Sequence, residues 1–214
     1  MSVGSSVSQL VYVVDDDPGI RDAVSLLIQS HGFECSAFGS VEDFLADFDP
    51  ERLACLVLDL QLPRQTGLDL QQELLRRGAG LPIVFITGYG DISTAVRAMR
   101  GGAVDFLEKP FDESLLIQRV QEALAKAVTS REIRDARSKV ETLTDREREV
   151  IDFVTNGLST KEIAAELHRS EKTIEGHRRN IMRKLQAESV ADVVRIATTA
   201  RREENGDDVR IEAS

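Results

Sequence analysis

Between residues 9 and 125, five short apolar runs alternate with stretches of helical periodicity. Val11–Val14, Glu34–Phe38, Leu53–Leu58, Pro82–Ile86 and Val104–Leu107 read as strands. Four of the five are near-continuous apolar runs, as in strands buried on both faces. Between and after them, apolar residues recur at helical spacing: Ile20, Ala23, Val24 and Leu27; Leu68 to Arg77; Ile92, Ala95, Val96 and Met99; Leu115, Leu116, Val120, Ala123 and Leu124. Ser40 and Asp112 stand where helix caps are expected. Repeated β-α units of this kind predict a parallel sheet covered by helices on both sides, with the flavodoxin-like strand order 2-1-3-4-5.

That fold gives meaning to five polar residues. Asp15 and Asp16 follow the first run, Asp59 the third, Thr87 the fourth and Lys109 the fifth. In a parallel sheet they converge at the carboxyl edge, where open α/β folds build their sites. Any one acid beyond a strand can be a helix cap; five residues at matching topological positions point to a pocket. Three clustered carboxylates repel one another, and a hard divalent cation relieves that repulsion through oxygen ligands. One carboxylate can then act as nucleophile toward a phosphoryl donor. Asp59 is the candidate, since it stands alone at the end of the central strand. Thr87 can donate its hydroxyl to phosphoryl oxygens and Lys109 can pair with them. Pro110 permits a cis bond that aims the lysine inward, and Gly88 permits a close approach.

Residues 126–141 are charged, lack Gly and Pro and hold few apolar positions. They predict an exposed helical linker, able to run on from the preceding helix. Residues 142–200 read as four helices. Thr144 to Glu147 and Ser159 to Glu162 are capping boxes, Asn156-Gly157 is a stop, Ser170 caps a third helix reaching about Leu185, and a fourth covers Val190–Ala200. The tail, 201–214, is polar and is expected to be disordered.

Charge separates the two halves. Residues 1–127 hold 19 acids and 10 bases, while 128–214 hold 18 and 17. Within the second half, residues 167–184 carry six Lys/Arg against two Glu. On a helical wheel Lys172, Glu175, Gly176, Arg179 and Arg183 share one arc, with Ile174, His177, Ile181 and Leu185 opposite. A capped helix, a short turn and this basic helix predict a helix-turn-helix with Glu171–Lys184 in the major groove. Lys161, Arg178 and Lys184 are candidate phosphate contacts; Lys172, Thr173, Glu175 and Arg179 complete the candidate DNA-binding set.

The motifs match a known family. Val13-Val-Asp-Asp-Asp-Pro18, Leu56-Val-Leu-Asp-Leu-Gln-Leu-Pro63, Phe85-Ile-Thr-Gly-Tyr-Gly90 and Asp105-Phe-Leu-Glu-Lys-Pro-Phe111 resemble the receiver domain of two-component response regulators. Leu143-Thr-Asp-Arg-Glu-Arg-Glu-Val150, Gly157-Leu-Ser-Thr-Lys-Glu-Ile-Ala164 and Lys172-Thr-Ile-Glu-Gly-His-Arg179 resemble the LuxR-type DNA-binding domain. Together the two resemble the NarL/FixJ class, nearest its FixJ branch, with Gly176 a departure from the pattern. The resemblance implies a transcription factor switched when Asp59 takes a phosphoryl group from a sensor histidine kinase. It implies Mg²⁺ (or Mn²⁺) bound by Asp16, Asp59 and the Gln61 carbonyl, with Asp15 acting through water. Thr87 and Phe106 would be the switch pair, and Gln61 and Tyr89 would influence phosphoryl lifetime. Double-stranded promoter DNA, RNA polymerase and a second copy of the chain, in the phosphorylated or DNA-bound state, are the implied partners.

Other classes fit less well. Asp59-Leu-Gln61 lacks the second aspartate of DxD phosphatases, and no GxxxxGK[ST] loop is present for an NTPase. The receiver would catalyse only its own phosphoryl transfer and loss. The alternative is a phosphorylation-independent DNA-binding regulator with a silent acidic pocket. Two cysteines, Cys35 and Cys55, sit in or beside apolar segments and read as reduced thiols. The first ten residues do not resemble a signal peptide, and no apolar run reaches membrane-spanning length, so a cytoplasmic protein is expected.

Overall fold

The computed structural model describes residues 9–88 and 92–202. Five strands, β1 (Leu10–Val14), β2 (Glu34–Phe38), β3 (Ala54–Asp59), β4 (Ile83–Thr87) and β5 (Asp105–Glu108), form one sheet in the order β2-β1-β3-β4-β5. Every pairing is parallel. The register sets Val11 beside Cys35 on one side and Cys55 on the other. A whole strand therefore separates the two cysteines, and both are free thiols.

The strand period of two distributes side chains between two cores. Tyr12, Val14, Leu56, Leu58 and Phe85 face α2 (Val41–Asp47), α3 (Gly67–Arg76) and α4 (Ile92–Arg100), which supply Phe44, Leu70, Leu74 and Ala98. Val11, Val13, Val57, Val84 and Ile86 face α1 (Pro18–Ser30) and the start of α5 (Glu113–Glu141), which supply Val24, Ile28, Leu116 and Val120. The near-continuous apolar runs follow from this: alternate residues fill different layers, and both layers are buried.

Helix starts follow local chemistry. The Asp17 carboxylate accepts from the Gly19 and Ile20 amides, and Pro18 stands at the first helical position, where its missing N–H costs nothing. Thr66 and Asp69 form a reciprocal capping box at α3. Gly67 opens that helix because a Cβ there would lie 2.5 Å from the Asp59 carbonyl oxygen.

The chain divides into two compact units, residues 1–129 and 130–214. In the second, α6 (Asp145–Thr155), α7 (Thr160–Glu166), α8 (Glu171–Leu185) and α9 (Val190–Ala200) surround Val150, Ile151, Ile163, Ile174, Ile181, Leu185 and Ile196. Capping boxes begin α6, α7 and α9. Gly157, at φ 83°, follows the α6 cap.

The expected exposed linker is corrected in part. Residues 126–141 are helical and continue α5 without interruption, but they are not exposed throughout. Ala136 and Val140 join the core of the second unit, and Arg137 donates to the Ala200 carbonyl at 3.2 Å. The packed stripe is thin and its residues small, so dense flanking charge masks it in the sequence. Tyr89 and tail residues 203–214 lie outside the described residues. Among the described residues, no helix is long and apolar enough to cross a membrane.

Candidate functional site

The carboxyl edge of the sheet gathers the predicted residues. Asp59 and Thr87 are the last residues of β3 and β4 rather than the first beyond them, while Asp15 and Lys109 follow β1 and β5 directly. Asp15 and Thr87 are fully buried, Asp59 is 7% exposed and Asp16 is exposed. One carboxylate oxygen from each of Asp15, Asp16 and Asp59 lies within 4.8 Å of the others.

Lys109 organises this cluster. Its ammonium donates to Asp15 Oδ2 at 2.7 Å and to Asp59 Oδ2 at 3.0 Å. Its backbone N–H donates to the Thr87 carbonyl at 2.7 Å, which ties β5's end to β4's. The Lys109–Pro110 bond is cis. Asp15 Oδ1 accepts from the Asp17 amide at 2.9 Å and Asp59 Oδ1 from the Gln61 amide at 3.1 Å. Each carboxylate is thus held by one amide and one shared ammonium.

The electrostatics follow from burial. Desolvation pushes the Asp15 carboxyl above the usual aspartate range, against the pull of Lys109. Burial alone would lower the Lys109 ammonium, but its bonds to Asp15 and Asp59 outweigh that and hold it above its ordinary value. With three carboxylates against one ammonium, the ionised cluster carries an excess of negative charge. Clustered hard oxygen donors in this state fit a divalent cation such as Mg²⁺. Asp15, Asp16 and Asp59 are the side chains able to hold it, and exposed Gln61 lies two residues beyond Asp59.

Phe106, on β5, is half-buried and pairs in register with Phe85; the ring centroids are 6.4 Å apart. Nothing of Gly88 is crowded, since a Cβ there meets open space.

Sequence reasoning missed Arg21. Its Nη1 donates to the Asp15 carbonyl at 2.8 Å and reaches the Asp16 carbonyl at 3.5 Å, so it braces the backbone that carries both acids. The available signal was a base near a helix start, where the dipole favours acids.

In the second unit, α7 and α8 flank the short turn of a helix-turn-helix. Lys161, Lys172, Thr173, Glu175 and Arg179 are exposed, Arg178 is half-buried, and Ile174, Ile181 and Leu185 are buried. His177 is half-buried, between the two faces. Ser170 caps α8 and shares a hydroxyl hydrogen bond of 2.8 Å with Thr173.

Lys184 requires a correction. It donates to Glu147 Oε2 at 2.6 Å and to the Thr142 carbonyl at 3.0 Å, and its side chain is mostly covered. Its ammonium compensates a buried carboxylate inside the unit and is not presented as a phosphate contact. The wheel could not reveal this, because the partner lies 37 residues away.

Comparison with known proteins places both halves. Residues 11–121 match the response regulator receiver domain, and residues 141–197 match the luxR family of bacterial regulatory proteins. The chain is 43% identical over 199 residues to nodulation protein W of Bradyrhizobium diazoefficiens, spanning 91% of this chain and 88% of that protein. It is 39% identical over 194 residues to the transcriptional regulatory protein FixJ of Azorhizobium caulinodans, spanning 89% and 92%. The solved structure of the response regulator StyR covers 89% of this chain and 98% of its own, with 39% identity and a TM-score of 0.69.

Proposed function

Given that the chain belongs to the response regulators that join a receiver domain to a LuxR-family DNA-binding domain, we propose that phosphorylation of Asp59 switches it. It is a DNA-binding transcription regulator, not a classical enzyme. The phosphoryl donor is a sensor histidine kinase. The observation that carries this reading is the Lys109 ammonium bridging Asp15 and Asp59 within a cluster of three carboxylates.

Asp15, Asp16, Asp59 and the Gln61 carbonyl would hold Mg²⁺ (or Mn²⁺). When bound, the ion supplies positive charge against the incoming phosphoryl oxygens. An Asp59 carboxylate oxygen attacks phosphorus, the phosphorus–nitrogen bond of the donor phosphohistidine breaks, and an acyl phosphate forms. Phosphorylation takes away the carboxylate charge that Lys109 pairs with, and the ammonium pairs with a phosphoryl oxygen instead. Thr87 donates its hydroxyl to another. Phe106 turns inward as Thr87 moves, and the face formed by α4 and β5 changes shape.

That change either pairs two copies or releases the DNA-binding unit. Residues 9–125 are the phosphorylated domain, 126–141 the connection and 142–200 the DNA-binding domain. Dimers bind paired half-sites of promoter DNA in the cytoplasm and act on RNA polymerase, because one helix-turn-helix alone gives limited specificity.

The test is direct. Wild-type protein incubated with acetyl phosphate and Mg²⁺ should gain one phosphoryl mass that hydroxylamine removes. Asp59→Asn should gain none while keeping its melting behaviour. If Asp59→Asn labels as the wild type does, the acceptor is wrong. If wild type never labels, from acetyl phosphate or a histidine kinase, the pocket is silent and DNA binding is independent of phosphorylation.

A further inference from the structure

Among the described residues, seven glycines have a reason within the fold. Gly32, Gly78, Gly80, Gly102 and Gly157 adopt positive φ, which side chains disfavour. Gly67 and Gly19, both within helices, have Asp59 and Asp17 atoms where a Cβ would come close. Gly176 does neither. It lies inside α8, the sixth residue of that helix, with no positive φ and nothing within 4 Å of a built Cβ.

Glycine is the poorest helix former after proline, so its presence mid-helix needs a reason. Neither backbone conformation nor packing supplies one. The remaining requirement comes from outside the chain. Gly176 sits among the exposed residues Lys172, Glu175, Arg179 and Asn180 of the most basic helix in the second unit. Glycine is also the residue that lets a ligand approach backbone closely.

We propose that Gly176 is a specificity-determining residue: its missing side chain forms a recess on α8 into which one base-pair edge of the target site fits. This rests on the reading that α8 meets the major groove. Lys172, Arg179 and Asn180 then frame the recess, and backbone rather than a side chain forms its floor. A Cβ would not disturb the fold, since it enters open space, but it would fill the recess.

The experiment uses the full chain and a duplex library with a randomised core. The duplex that wild type enriches becomes the probe, with the unselected pool as control. Gly176→Ala should raise the thermal midpoint of the protein, because alanine favours helix. It should bind the enriched duplex about ten-fold more weakly, the size of one lost base-pair fit. Gly176→Val should lose more and should enrich a different sequence when selected afresh. Both should bind the unselected pool within about two-fold of wild type, since phosphate contacts are unchanged. Arg179→Ala is measured in parallel. If it loses affinity for the enriched duplex while Gly176→Val matches wild type and selects the same sequence, the recess is refuted and the placement of α8 stands. If neither variant changes binding, α8 does not read bases and both conclusions fall.

Discussion

The side-chain amide of Gln71 fills the space that a side chain at Gly101 would need. A Cβ at Gly101 would lie 2.6 Å from Gln71 Oε1, 2.7 Å from Cδ and 2.8 Å from Nε2. The amide is there because Gln71 Nε2 donates to the Ala98 carbonyl at 3.0 Å. Gln71 is buried in α3 and Ala98 in α4, so a polar clasp joins the two helices.

Gly101→Ala should therefore destabilise the first unit by about 1–3 kcal/mol, because the amide must leave its site or α4 must shift. Urea unfolding followed by circular dichroism measures this. Gln71→Leu/Gly101→Ala should show less than the sum of the two single losses, since both act on the same contact. Additive losses would mean that the clasp does not couple the two positions.

Asp15 carries a different cost. Its carboxyl is fully buried and burial holds its pKa above the usual range. The folded state then binds a proton more readily than the unfolded chain, so ionised Asp15 reduces stability above its folded pKa. Asp15→Asn should stabilise the unit by about 1 kcal/mol at neutral pH, as removal of functional strain often does. The gain should shrink as pH falls through the Asp15 folded pKa. Calorimetric melts of wild type and variant across acid pH check the sign; a gain that grows toward low pH would contradict it.

The sheet order, the edge residues and two capping boxes were legible in the sequence because each rests on local spacing. Period-two burial of Val11 and Tyr12 into opposite cores makes a strand visible, and Ser or Thr three residues before Glu makes a helix start visible. What stayed hidden depends on distant partners. Lys184 looks like one more exposed base until Glu147 is found beneath it. Arg21 looks like helix surface until the chain reversal brings the Asp15 carbonyl to it. Gln71 looks amphipathic, yet it is buried among apolar neighbours by a bond to another helix.

The Glu147–Lys184 pair predicts how the second unit responds to acid. Burial would raise the Glu147 carboxyl, but Lys184 and the Thr144 amide and hydroxyl bind it and hold it below the usual glutamate range. The group contributes stability above its unfolded pKa, and this is lost as pH falls through the lower folded value. Lys184→Met should cost about 2–4 kcal/mol at neutral pH, because a buried carboxylate loses its counter-ion. That loss should diminish in acid, where Glu147 protonates. The salt dependence of DNA affinity should keep the wild-type slope; a slope lower by about one would restore Lys184 as a phosphate contact.

Arg21 supplies the last test, because its bond is to backbone and not to either acid. The guanidinium holds the Asp15 carbonyl from α1 and so fixes how Asp15 and Asp16 face Asp59. A charged donor on a carbonyl contributes about 1.5–3 kcal/mol. Arg21→Met should weaken Mg²⁺ binding about ten-fold by titration calorimetry, a fitting method for a chain without tryptophan. Phosphorylation by acetyl phosphate should slow at low Mg²⁺ and recover as Mg²⁺ is raised, and Arg21→Lys should restore part of the affinity. A brace that matters only for folding would behave otherwise: the melting temperature would fall while the Mg²⁺ affinity of the folded protein stayed at the wild-type value.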